Sequence, residues 1–142
     1  MVETGTIASV TPPQTVADSI ESAKIAARIA AENKGQDIIV IDLSRHTSVF
    51  DCFVIATGTS RRQLHAIAEE IDRELRRRGE LRIAISGYDE SHWIALDYGG
   101  VVVHLFDEEH RKFYDLEGLW ADGTRVDLSE VLRNTGAEPS GF

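Results

Sequence analysis

Thiols, long apolar runs and positive charge are the scarce features of this 142-residue chain. A single cysteine, Cys52, excludes an intramolecular disulfide and a structural zinc site built on several thiolates. Its place in an apolar run marks it as a buried side chain. No stretch of about 18 apolar residues occurs, so no membrane-spanning helix is expected. The opening Met1-Val2-Glu3-Thr4-Gly5 lacks the basic start and apolar stretch of a secretory signal, and a cytosolic protein is expected. Fifteen basic residues face twenty-four acidic ones, a net charge of −9. That balance opposes close approach to phosphate chains, favours a basic partner surface and argues against a primary RNA binder.

With 42% hydrophobic residues, the chain has enough apolar side chains for one sizeable core and too few positions for two. Residues 1–14 are small, polar and Pro-containing, and read as a flexible leader. From Thr15 to Asn33, Val16, Ile20, Ala23, Ala27 and Ala30 recur at three- and four-residue steps before Lys34-Gly35, the pattern of an amphipathic helix with a C-terminal stop. Asp37 to Leu43 and Cys52 to Thr57 are β-branched apolar runs of strand length. Ser60 and Gln63 form a capping-box pattern ahead of Leu64, Ile67, Ile71 and Leu75, which mark one face of a second helix ending at Gly79.

Arg82 to Ser86, His92 to Asp97 and Gly100 to Phe106 add three strand candidates, the last two joined as a hairpin across Tyr98-Gly99-Gly100. Asp107 to Tyr114 reads as helical and Leu116 to Trp120 as a further turn. The expected fold class is α/β: a mixed five-stranded sheet flanked by helices and covered mainly on one side. Residues 15–120 form the domain, and 121–142, with only a weak Val126, Leu128, Val131, Leu132 pattern, are expected to be a loosely held tail.

Strand side chains alternate. If helices cover the aliphatic face carrying Ile94, Leu96, Val101, Val103 and Leu105, the opposite face of the hairpin presents Trp93, Asp97, His104 and Phe106. Such a patch suits a protein interface. The other reading makes this face core as well, closed by Tyr114 and Trp120. Both readings stay open.

Thr57-Gly58-Thr59-Ser60 leads from a strand into a helix, where exposed amides can hold an anion, yet it lacks the Lys and glycines of a P-loop and reads as a capping turn. Nucleotidyl transfer would need carboxylates near that turn to hold magnesium. Asp42 and Asp51 are the candidates, without a paired Asp-x-Asp or Asp-x-Glu on a neighbouring strand. His46, His65, His92, His104 and His110 lack ligand spacing and read as solvated or hydrogen-bonded, with no metal expected. Ser60, Ser86 and Ser91 lack a nucleophile elbow. Arg73, Arg76, Arg77 and Arg78 interleave with Glu69, Glu70, Asp72 and Glu74, a self-neutralising helix face rather than an RNA site.

Three segments, taken in order, resemble the RsfS/Iojap family of ribosome-silencing factors. The first joins Gly35-Gln36-Asp37-Ile38 with the stretch from Asp51 to Ser60. The second is Trp93-Ile94-Ala95-Leu96-Asp97-Tyr98-Gly99-Gly100-Val101-Val102-Val103-His104-Leu105-Phe106, and the third is Phe113-Tyr114-Asp115-Leu116-Glu117-Gly118-Leu119-Trp120. The match runs from about Ser19 to Trp120. The resemblance implies a fold similar to nucleotidyltransferases without their catalytic carboxylates, cytoplasmic action and a homodimer when free. It also implies a protein that is not an enzyme and needs no cofactor. Such a protein binds the large ribosomal subunit through ribosomal protein uL-fourteen, with little RNA contact, blocks joining of the small subunit and represses translation. Carried over by motif, the partner-binding residues are Trp93, Asp97, His104, Phe106, Tyr114 and Trp120, while Thr57 and Ser60 are structural. The competing expectations are a diverged nucleotidyl-transfer enzyme using the Thr57–Ser60 turn and a homodimeric scaffold for another assembly factor.

Overall fold

The computed structural model describes residues 15–137; the expected leader 1–14 and residues 138–142 of the tail lie outside them. Helix α1 (Val16–Glu32) starts at a closed capping box, in which Thr15 Oγ1 accepts from Asp18 N and the Asp18 carboxylate accepts from Thr15 N. Strands β1 (Gln36–Asp42) and β2 (Cys52–Gly58) follow, then helix α2 (Arg61–Arg77). Ser60 Oγ caps α2 by accepting from Gln63 N at 3.1 Å. The Gln63 side-chain oxygen accepts from Thr59 N at 2.6 Å instead of from Ser60 N, so the expected box closes one residue early.

Strands β3 (Ala84–Ser86), β4 (Trp93–Asp97) and β5 (Val101–Asp107) lead into the short helices α3 (Glu108–Tyr114) and α4 (Leu116–Leu119). A sixth strand, β6 (Thr124–Arg125), corrects the expected count of five. The strand order is β3-β4-β5-β2-β1-β6, antiparallel except for the parallel β2–β5 pair at the centre.

Alternation along the strands builds two cores. Ile38, Val40, Cys52, Val54, Ala56, Ile94, Leu96, Val101, Val103 and Leu105 face α1 and α2. The contact surface of α1 is made of Ala23, Ala26, Ala27, Ala30 and Ala31, small side chains that let the helix lie close to the sheet. Ile39, Ile41, Leu43, Phe53, Ile55 and Phe106 face the other way and meet Leu116. Cys52 is buried, as its apolar surroundings predict, and burial raises its thiol pKa well above the ordinary range.

The segment after Trp120 differs from the loosely held tail that its weak pattern predicts. Gly123 lies so close to β1 that a Cβ there would meet Ile41 Cγ2 at 2.4 Å, and only glycine permits that crossing. Beyond it, Val126 N donates to Val40 O at 2.9 Å, and Leu128 and Leu132 insert into the core beside α1. Their four-residue spacing is real packing, too short to read as a helix. Leu132→Ala is expected to lower unfolding stability by about 2–4 kcal/mol, measured by chemical denaturation, whereas a detached tail would leave the midpoint unchanged.

Candidate functional site: an aromatic layer on the second face of the sheet

The second face carries a continuous layer of rings. Phe50 stacks on Phe53 with centroids 4.6 Å apart, and Trp120 meets both edge-on at 5.6 and 6.0 Å. Phe53 contacts His104 at 4.4 Å, and Trp93 stacks on Phe106 at 5.0 Å. Tyr114 packs on Trp93 at 4.7 Å and touches Phe113 and His110. Strand register explains the middle of this layer, because β4–β5 pairing sets Trp93 against Phe106 and β2–β5 pairing sets Ile55 against His104.

Of the six residues singled out by motif, Trp93 contacts His104, Phe106 and Tyr114, and Trp120 joins this group through Phe53. Asp97 does not. It sits at the far end of β4, where its Oδ1 accepts from Gly99 N at 2.8 Å and closes the hairpin turn. Phe106 is fully buried and His104 nearly so, so both support the layer from beneath and neither reaches its surface. The two readings of this face therefore divide by residue. Trp93 and Trp120 are half-buried, Tyr114 is 48% exposed, and two side chains outside the expected set, Phe113 (77%) and Leu119 (76%), stand furthest into solvent.

His104 holds the Trp93 ring in place. The indole Nε1–H donates to His104 Nδ1 at 3.0 Å, which fixes the neutral tautomer with its proton on Nε2. That Nε2 is buried without a hydrogen-bond partner among the described residues. Burial lowers the His104 pKa from 6.5 to about 3. Trp93 is fixed from the backbone side as well: Gly87, at φ +75°, passes so near that a Cβ would fall 1.9 Å from the Trp93 carbonyl oxygen.

Arg111, on α3, fastens the layer to the sheet. Its Nη1 donates to Asp37 O at 2.6 Å and to Thr57 Oγ1 at 2.8 Å, while Nε donates to Glu117 Oε2 at 2.9 Å. The residue is buried, with carboxylate, carbonyl and hydroxyl acceptors spread around its fork. Asp115, in the left-handed conformation at φ 46°, then turns the chain from α3 into α4, and its Oδ1 accepts from Gly118 N. Sequence reading missed Arg111 because a buried arginine leaves no mark in a helical charge pattern.

Thr57 and Ser60 are structural as expected, one an acceptor for Arg111 and the other a helix cap. Asp42 and Asp51 lie at the opposite end of β2 from the Thr57–Ser60 turn, about 20 Å away for a seven-residue strand. Both are engaged locally, Asp42 by Ser44 and Asp51 by Ser19. They cannot serve a nucleotide held at that turn; the carboxylate that β-pairing brings beside Gly58 is Asp107. On α2, Arg76 pairs with Asp72 and Arg77 with Glu74, as the self-neutralising face predicts, whereas Arg78, just past the helix, pairs with Glu80, and Glu69 and Glu70 accept from Tyr88 and Asn33 instead.

The family model described as ribosomal silencing factor during starvation matches residues 16–140. The chain belongs to this family. It is 38% identical over 105 residues to the protein named ribosomal silencing factor RsfS of Bacillus subtilis (strain 168), covering 74% of this chain and 89% of that one. A crystal structure of a Chromobacterium violaceum protein superposes with a TM-score of 0.70 at 34% identity, covering 78% of this chain and 92% of its own. The mouse protein named mitochondrial assembly of ribosomal large subunit protein 1 is 36% identical over 92 residues, which are 63% of this chain and 40% of that longer protein.

Two outcomes follow from this geometry. The unfolded chain protonates His104 near pH 6.5 and the folded chain only near pH 3, so stability falls as pH drops through that window. Urea titrations at several pH values are expected to show His104→Phe flattening this dependence by up to about 1.4 kcal/mol per pH unit. Arg111→Ala takes the donor from one buried acceptor, Thr57 Oγ1, and two part-buried ones, Asp37 O and Glu117 Oε2, and is expected to cost about 3 kcal/mol of stability by the same measurement.

Proposed function

We propose that this chain is a non-catalytic silencing factor that binds the large ribosomal subunit through ribosomal protein uL-fourteen and sterically blocks association with the small subunit. Translation is thereby repressed in the cytoplasm. The observation that carries the reading is the exposed rim of the aromatic layer. Trp93, Tyr114 and Phe113 are in contact, Trp120 joins them through Phe53 and His104, Leu119 is exposed beside Trp120 in the chain, and residues 107–122 set these side chains among six carboxylates and two basic side chains. One of those two, Arg111, is buried in its own ion pair, and the other, Lys112, is paired with Glu108.

An apolar patch rimmed by negative charge fits a basic protein surface and is repelled by bare RNA phosphate. Charge speeds the encounter, and the large side chains then set the dissociation rate. Family membership supports the silencing role, and the name of the mouse relative supports the large subunit as the site. The homodimer of the free protein rests on the resemblance alone. In this reading His104 and Phe106 act by holding Trp93 in place, and Asp97 lies outside the contact.

The test is sedimentation of purified subunits with wild type, with Phe113→Asp/Leu119→Asp and with Asp97→Lys. Wild type is expected to travel with large subunits and suppress joining. The double variant, altered only at exposed positions, is expected to bind on the order of tenfold more weakly or worse with an unchanged melting temperature, and Asp97→Lys to behave as wild type. Wild type that leaves joining untouched would overturn the proposal.

A further inference from the structure

Two imidazoles and a carboxylate converge where β4 begins and β5 ends. Pairing of Trp93 with Phe106 continues outward as a bond from Asp107 N to His92 O at 3.1 Å, which sets His92 beside Asp107. The first turn of α3 then carries His110 back over the same carboxylate. His92 Nδ1 lies 3.0 Å from Asp107 Oδ2, and His110 Nδ1 lies 3.0 Å from Oδ2 and 2.8 Å from Oδ1. The rings stack with centroids 4.3 Å apart, and one donor atom from each of the three residues falls within 4.8 Å of the others. No histidine spacing reveals this group, because strand pairing assembles it across fifteen residues.

We propose that His92, Asp107 and His110 form a binding site for a divalent transition-metal ion of the zinc type. Two imidazole nitrogens and one carboxylate oxygen suit zinc or its neighbours, whereas magnesium and calcium require more oxygen ligands than this group offers. Around a tetrahedral ion with ligands at about 2.0–2.1 Å, donor atoms stand about 3.3 Å apart. The two Nδ1-to-Oδ2 distances of 3.0 Å need to widen by only a few tenths of an ångström.

The cap and the metal site use different oxygens. Oδ1 accepts the helix-capping bond from His110 N at 2.8 Å, and Oδ2, equidistant from the two rings, is left to ligate. Without an ion, both rings donate Nδ1–H to the carboxylate; an ion takes the place of those protons, which move to Nε2 or to solvent. The site is built from side chains of two strands' ends and one helical turn, and His92 is the exposed member. Its open side leaves the fourth coordination position to water or to a ligand from a partner.

The experiment is calorimetric titration of zinc chloride alone into the full-length protein free of any histidine tag, with histidine ring resonances followed by NMR. One equivalent is expected to bind with a dissociation constant on the order of micromolar, shifting the rings of His92 and His110 but not that of His65. His92→Ala and His110→Ala are each expected to weaken binding about tenfold or more, whereas His46→Ala, at an exposed loop position, is expected to leave it unchanged. Absence of saturable binding up to on the order of 100 μM would overturn the proposal. So would a zinc affinity equal in wild type and both ligand variants, which would mark adventitious surface binding only.

Discussion

The second face depends on the Arg111 guanidinium. A short helix of seven residues has little stability of its own, and α3 keeps its place because one buried cation is bonded to β1, β2 and α4 at once. With α3 fixed, Tyr114 covers Trp93, Asp115 turns the chain and Leu116 reaches the core. The charge is tolerated inside because every arm of the fork that faces protein has an acceptor. The aromatic layer is thus held by a polar clamp at its margin, while its interior contributes area.

Much of the scaffold was legible because it repeats. The alanines of α1 and the aliphatic stripe of α2 follow the helical period, but the expected cover mainly on one side of the sheet is corrected: Ile39, Ile41, Phe53 and Ile55 build a second core with Leu116 on the other face. β6 was not legible: two residues held by the glycine crossing at Gly123 leave no periodic signal, and Leu128 and Leu132 find their places only through long-range packing.

The site was legible as a set of faces and not as a set of depths. Alternation puts Trp93, Asp97, His104 and Phe106 on one side of the hairpin, and they are there. It carries no information about which end of the strand a helix will cover. Thus Phe106 is sealed under Tyr114 and Trp93, and Asp97 serves its own turn. The exposed apolar side chains Phe113 and Leu119 lie on helices too short for a period to establish an inside and an outside.

The parallel pairing of β2 with β5 has a kinetic meaning. These central strands are separated by about fifty residues of chain, so their contact closes a long loop whose entropic cost comes before any reward. The hairpin of β4 and β5 and the helix α2 can form from local contacts, but His104 meets Phe53 only once that long loop has shut. The junction between the two halves of the aromatic layer therefore forms only with that closure. Trp93 can meet His104 and Phe106 within the hairpin, but Trp120 joins them only through Phe53, and Tyr114 is held over Trp93 by Arg111, whose acceptors lie on β1 and β2, so the layer is whole only when the centre of the sheet has zipped.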